Sequence, residues 1–288
     1  MSGQQPRDAA RPPLPEPLPS PVADSHCHLD IADRAAQAGV EPSVEDALSA
    51  AASVGVTRIV QVGCDIDGIR WAVQTAERHG QVVAAVAMHP NEAPRLAEQG
   101  LLEEALAEVD SLAAHPRVRA IGETGLDHFR TGPEGRAVQE ESFRRHIAMA
   151  KTHDKALVIH DRDAHADVLR VLNEEGPPAR TVFHCFSGDA SMARYCSARG
   201  WFLSFAGTVT FKNAPALRAA LAVTPVEQLL VETDAPYLTP TPYRGRTNAS
   251  YLIPVTLRAM AAVRNTDVGS LAAAIDENTT RVFGAWGS

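Results

Sequence analysis

A closed (β/α)8 barrel of the α/β class, folded as a single domain, is what this sequence predicts. Three observations predict it: eight short apolar or β-branched runs, helix-compatible segments between them, and a histidine, glutamate or aspartate at the end of most runs. Alternating strand and helix signals imply a parallel sheet, and eight such units in one chain suit closure into a barrel. An open doubly wound sheet would carry a glycine-rich phosphate loop after an early strand, and no GxGxxG or GxxxxGK occurs there.

The runs are "VADSHCH" (22–28), "RIVQVG" (58–63), "VVAAVAMH" (82–89), "VRAIGE" (118–123), "ALVIH" (156–160), "TVFHC" (181–185), "WFLSF" (201–205) and "QLLVETD" (228–234). Between the first two, "PSVEDALSAAASVG" opens with Ser43 at an N-cap position and closes at Gly55. "APRLAEQGLLEEALAEVDSLAAH" and "GRAVQEESFRRHIAMAKTHD" carry helix signals and are long and amphipathic. Ahead of the first run, "MSGQQPRDAARPPLPEPLPSP" is dense in proline and small polar residues. It predicts a disordered or polyproline tail over residues 1–21, leaving 22–288 as the folded domain.

That tail lacks the apolar segment of a signal peptide, and no run is long enough to span a membrane. Cys27, Cys64, Cys185 and Cys196 form no CxxC pair. A reduced, cytoplasmic protein is therefore expected. The net charge of −8 argues against a broad basic surface for nucleic acid. It leaves room for a short groove, or for phosphate contacts made through bound cations.

Chemistry in a barrel sits at the C-terminal ends of the strands. His26 and His28 share one face of the first run because side chains alternate along a strand, and Asp24 and Asp30 lie beside them. Run three ends in His89, run four in Glu123 with Asp127 just beyond, run five in His160, run six in His184 and run eight in Asp234. Any one of these could be a satisfied core histidine or a helix cap. Four separate strand ends carrying histidine point instead to divalent metal. The six donors His26, His28, Glu123, His160, His184 and Asp234 exceed the needs of one tetrahedral ion. With Glu123 bridging, they suit two ions about 3.5–4 Å apart, the arrangement used on phosphate esters. His79, His115, His146, His153 and His165 read as surface or helix-end residues, and His128 has no required role.

The motifs "DSHCHLD", "GETGLD", "VIHDRDA", "HCFSG", "SFAGTVTFK", "VETDAPYL" and "PYRGRTN" resemble, in order, those of the TatD family of metal-dependent deoxyribonucleases. The resemblance covers about residues 22–285. It implies one metal held by His26, His28, Glu123 and Asp234, and a second by Glu123, His160 and His184. His89 of "AMHP" matches a residue implicated in the catalytic step; Asn91 stands where many relatives carry a second histidine. The implied catalytic set is Asp234, His89 and Glu123, hydrolysing DNA phosphodiester bonds through a metal-bridged hydroxide, with Asp234 as proton acceptor. The implied activity is a 3′-to-5′ exonuclease on single strands or frayed ends. Mg2+ is the expected ion in activity, while imidazole-rich ligation also suits Zn2+, Mn2+ or Co2+.

Substrate contacts are expected from Asp127, Arg130, Arg162, Lys212 and Arg244, with Arg246 nearby. No aromatic stripe for base stacking stands out; Phe129, Phe186, Phe211, Tyr237 and Tyr243 lie near loops and mostly read as core. The expected partner is DNA, or RNA, as substrate, with no membrane, no stable protein partner and a monomeric state. A fold alone does not choose a substrate. The alternatives are a hydrolase of another ester or amide on this scaffold, such as a D-aminoacyl-tRNA, and a non-catalytic metal-binding scaffold. Glu123 stands where many binuclear barrels carry a carboxylated lysine, which favours the nuclease.

Overall fold

A computed structural model describes residues 11–31 and 42–286. In chain order the elements are β1 (Val22–Cys27), α1 (Val44–Ser53), β2 (Val56–Gly63), α2 (Ile66–Arg78), β3 (Val82–Val86), α3 (Glu92–Glu98), α4 (Leu102–Ala113), β4 (Val118–Asp127), α5 (Pro133–Thr152), β5 (Ala156–Arg162), α6 (His165–Glu175), β6 (Thr181–Phe183), α7 (Ala190–Ser197), β7 (Phe202–Phe205), α8 (Pro215–Val223), β8 (Leu229–Val231), α9 (Ile253–Arg264) and α10 (Val268–Phe283). The eight strands pair in parallel in chain order, β1 to β8. The ring closes through one bridge, Cys27 to Ala235, reinforced where Asp234 N–H donates to His26 O at 2.9 Å. This is the (β/α)8 barrel the runs predict.

Strand alternation sorts the core into two layers. Val60, Val62, Val83, Ala85, Ala120, Val158, Val182 and Leu230 form the inner cluster. Their neighbours Ile59, Val82, Val86, Ile121, Leu157, Ile159, Phe183 and Val231 pack outward against the helices. Burial of both faces is why the strands read as continuous apolar runs rather than alternating ones. The same period of two continues past the apolar residues: Val158 leads to His160, Val182 to His184, and Leu230 to Glu232 and Asp234. The inner face that fills the barrel thus becomes the site at its mouth.

Ser43 caps α1 as expected, accepting from Asp46 N–H at 3.2 Å. The long amphipathic stretch after β3 forms two helices, because Gly100 takes φ +72 between α3 and α4. Glycine enters that left-handed region without the Cβ penalty and ends the first helix. The expected tail divides: residues 1–10 lie outside the described residues, but residues 11–21 are laid on the barrel. Leu18 is buried and its N–H donates to Val54 O at 3.0 Å. Tyr251 Oη donates to Pro12 O at 2.7 Å, and Arg258 donates to Glu16 O at 2.8 Å. Prolines offer no N–H for a ladder, but the carbonyls of this proline-rich segment remain acceptors, and these side chains use them.

Among the described residues, no helix is long and apolar enough to cross a membrane.

Candidate metal centre

β1 delivers His26 and His28, β4 delivers Glu123, and the segment after β8 delivers Asp234. His26 Nε2 lies 3.5 Å from Glu123 Oε1 and 3.9 Å from Asp234 Oδ1. His28 Nε2 lies 3.6 Å and 3.4 Å from the same two oxygens. Donors held tetrahedrally about 2.1 Å from one ion stand about 3.4 Å apart, so each of these four separations is of the size a shared cation requires. Both ring nitrogens of His26 are buried without a hydrogen-bond partner. A buried polar atom left unpaired is costly, and a ligand role accounts for Nε2.

Glu123 turns its other oxygen to a second donor group. Oε2 is 2.8 Å from His160 Nδ1, 2.8 Å from His184 Nε2 and 3.8 Å from His89 Nε2. His160 Nδ1 and His184 Nε2 are themselves 3.3 Å apart. His26, His28 and Glu123 form one metal-competent group, and His89, Glu123 and His160 another. The donor set fits divalent metal, and the six ligand residues read from the sequence converge at one mouth.

The electrostatics follow from that crowding. Burial opposes ionisation of Glu123, but the His184 imidazole and the His160 hydrogen bond hold its carboxyl well below the usual range. Burial likewise works against the His28 cation, yet the Asp234 hydrogen bond and the Glu123 charge push it up to about 9. His89 goes the other way, drawn down by burial to about 3. Its Nδ1 accepts from Asn91 N–H at 3.0 Å, so the neutral ring carries its proton on Nε2, facing the centre.

A layer of residues behind the ligands fixes their orientation. Glu232 Oε1 lies 3.2 Å from His184 Nδ1 and accepts from Cys185 N–H at 2.7 Å. Sequence reading missed this role, although Glu232 sits two residues before Asp234 and alternation places both on the inner face. Asp127, expected to contact substrate, borders the cleft and also holds His160 from behind. It is 1% exposed, lies 3.3 Å from His160 Nε2, and accepts from Asn91 Nδ2 and the N–H groups of Phe129 and Arg130. Both are the carboxylate–histidine arrangements that set a ligand's tautomer. Gln139 completes this layer, accepting from Asp127 N–H at 3.1 Å.

His146, read as a surface or helix-end residue, is fully buried. Its Nδ1 donates to Ser142 O at 2.7 Å, leaving Nε2 to accept from Met88 N–H, beside His89, at 3.2 Å. Asp24 and Asp30 stand apart from the donor set. Asp24 accepts from Thr233 N–H and Thr233 Oγ1, tying β1 to the segment after β8, and Asp30 accepts from Gln61 Nε2. β4 breaks register between Ile121 and Thr124, around the cis Gly122–Glu123 bond.

The centre opens into a cleft of about 880 Å³ lined by ligands together with Cys64, Asn91, Arg130, Arg162, Cys185 and Tyr237. Arg130 and Arg162 are where the sequence reading placed them. Lys212, Arg244 and Arg246 do not line it; the Arg244 guanidinium lies 4.1 Å from the Phe211 ring centre instead. Cys64 was missed as a site residue, and its Sγ lies 3.3 Å from Glu123 Oε1. Phe186 is core, but Phe129 and Tyr237 are exposed, against the expectation of core.

Residues 23–284 match the family model described as TatD related DNase. The chain belongs to the TatD family. A metal-dependent hydrolase TatD of Mycobacterium tuberculosis, itself uncharacterised, is 46% identical over 267 residues, covering 91% of this chain and 98% of that one. The metal-dependent hydrolase YabD of Bacillus subtilis, also uncharacterised, is 37% identical over 262 residues, covering 90% and 98%. Among solved structures, the TatD homologue YJJV of Escherichia coli superposes with a TM-score of 0.80 at 26% identity, covering 92% and 98%. This TatD protein is a metal-dependent hydrolase on a (β/α)8 barrel, and its His/Glu clusters are candidate metal sites.

Proposed function

We propose that this TatD protein hydrolyses phosphodiester bonds in DNA, removing nucleotides from the 3′ ends of single strands or frayed duplexes, with two divalent cations. The observation that carries the reading is Glu123, whose two oxygens face separate histidine groups, Oε1 toward His26 and His28 and Oε2 toward His160 and His184. A carboxylate so shared would hold two cations, the arrangement suited to phosphate esters. The family model's description as a DNase agrees with it.

When bound, such cations acidify a water and offset charge on the phosphoryl oxygens. The chain's own residues supply the rest. Asp234 directs Oδ1 at His26 and His28, and its second oxygen accepts the proton of the attacking water. His89, neutral, presents Nε2–H as a donor to a phosphoryl oxygen or to the departing sugar oxygen. Arg130 and Arg162 place positive charge along the cleft for neighbouring phosphates. With a net charge of −8 elsewhere against it, the groove grips a few nucleotides at an end rather than a long duplex. The ester-of-tRNA reading needs a cleft that discriminates an aminoacyl group, and no described feature favours it.

The test is digestion of short single-stranded DNA carrying a label at either end, across Mg2+, Mn2+, Zn2+ and Co2+. Stepwise shortening from the 3′ end, abolished by chelator, is expected. Chelator-insensitive cleavage, or none of any nucleic acid, overturns the reading.

A further inference from the structure

We infer that the exposed ring of Phe129, backed by Arg162, is a stacking platform for an unpaired nucleobase beside the scissile phosphate, and that Tyr237 is its counterpart across the cleft. The inference rests on the phosphodiester reading above and names what that site selects. Phe129 is 63% exposed and Tyr237 52%, two of the four exposed large hydrophobic side chains among the described residues. Leaving such rings in water is unfavourable; Tyr237 lines the cleft, and Phe129 stands against Arg162, which lines it too.

Their surroundings specify the ligand. Phe129 follows Asp127, whose Oδ1 accepts from the Phe129 N–H at 3.0 Å and from the Arg130 N–H at 2.8 Å, so the ring stands on a fixed turn. The Arg162 guanidinium lies 4.0 Å from its ring centre. One face is therefore occupied by a cation, and the exposed surface is the other face and the edge. Arg162 also lines the cleft, so cation and ring together meet a group that is planar and aromatic with a phosphate attached. Tyr237 lines the cleft on the other side, its ring 6.3 Å from that of His28, and its N–H donates to Asp234 O at 2.8 Å. A flat ring on each flank accepts any base, but only one whose face is free. A paired base inside a duplex has its faces taken, so the platforms select unpaired ends.

The test compares holoenzyme on a short single-stranded oligonucleotide with the same strand made abasic at the residues flanking the scissile phosphate. Wild type is expected to cleave the abasic strand about tenfold more slowly, the order of one lost base stack. Phe129→Ala is expected to be about tenfold slower than wild type on the normal strand, with little further loss on the abasic one. Phe129→Trp restores the difference. Equal losses for Phe129→Ala on both strands, or none on either, overturn the inference while leaving the nuclease reading intact. Should wild type cleave neither strand, the nuclease reading fails. Affinity of metal-loaded Asp234→Asn for the two strands then decides the platform: tighter binding of the normal strand that Phe129→Ala removes supports it, and equal affinities overturn it.

Discussion

His184 meets two carboxylates at once, Glu123 Oε2 2.8 Å from Nε2 and Glu232 Oε1 3.2 Å from Nδ1. One nitrogen faces the metal centre and the other is oriented from behind. Glu232→Ala should therefore weaken divalent metal binding by about tenfold to a hundredfold, the usual cost of losing such a support. Calorimetric metal titration checks this. Glu232→Gln keeps an acceptor for His184 and for the Cys185 N–H and should lose less; equal losses would make charge, not orientation, the contribution.

Asp234→Asn should abolish hydrolysis while leaving the circular dichroism spectrum and melting curve close to wild type. The side chain sits beside His26 and His28 at the mouth rather than in the packed layers. Full activity in the variant would remove Asp234 from proton transfer.

His89→Ala should lower turnover far more than metal content, measured on the same preparation by elemental analysis. His89 Nε2 stands 3.8 Å from Glu123 Oε2, farther than His160 or His184 at 2.8 Å. Loss of both in proportion would place His89 among the ligands.

Gly125→Ala should be severe although no side chain is lost. Gly125 has φ +144, and a Cβ there would lie 2.1 Å from His160 O. Relief requires moving β5 at the residue that presents a ligand, so at least about 2 kcal/mol of stability should go, together with metal affinity. Urea unfolding measures the first, and metal titration the second.

Acid should unfold the protein partly through His146. Burial draws its pKa down to about 4, against 6.5 for an ordinary histidine. Between those values the unfolded chain binds a proton that the folded one does not. Stability therefore rises with pH across that window and is lost as pH falls through it. From about pH 7 to about pH 5 the loss from this one group is about 2 kcal/mol. His146→Gln should be less stable near neutrality, having disturbed the Met88 N–H contact, but should lose less on acidification. An unchanged slope in urea unfolding across that range would assign the acid sensitivity elsewhere.

Period-two alternation made the ligand set legible. His160, His184 and Asp234 extend the same inner face as Val158, Val182 and Leu230, so strand runs ending in reactive residues announced both barrel and site. Glu232 was equally legible by that rule, yet a residue that supports His184 from behind gives no motif of its own. His146 was not legible. A histidine on a long helix shows its burial only when the facing strand is known, and Met88 and Thr124 supply that face. The hold of Asp127 on His160 was not legible, because a position beyond β4 reads as cleft lining and says nothing of which ligand it backs. The tail misled because proline-rich composition speaks to local structure, not to whether Tyr251 and Arg258 wait for its carbonyls.

Metal-dependent 3′-end digestion is best measured by incubating 3′- and 5′-end-labelled single-stranded DNA with the protein stripped of metal, then restoring one divalent ion at a time. Stripped protein should leave the DNA intact and, with ion restored, wild type should give a ladder shortening from the 3′ end that Asp234→Asn does not produce. Intact DNA under every ion, from protein shown to have bound metal, would contradict the nuclease reading.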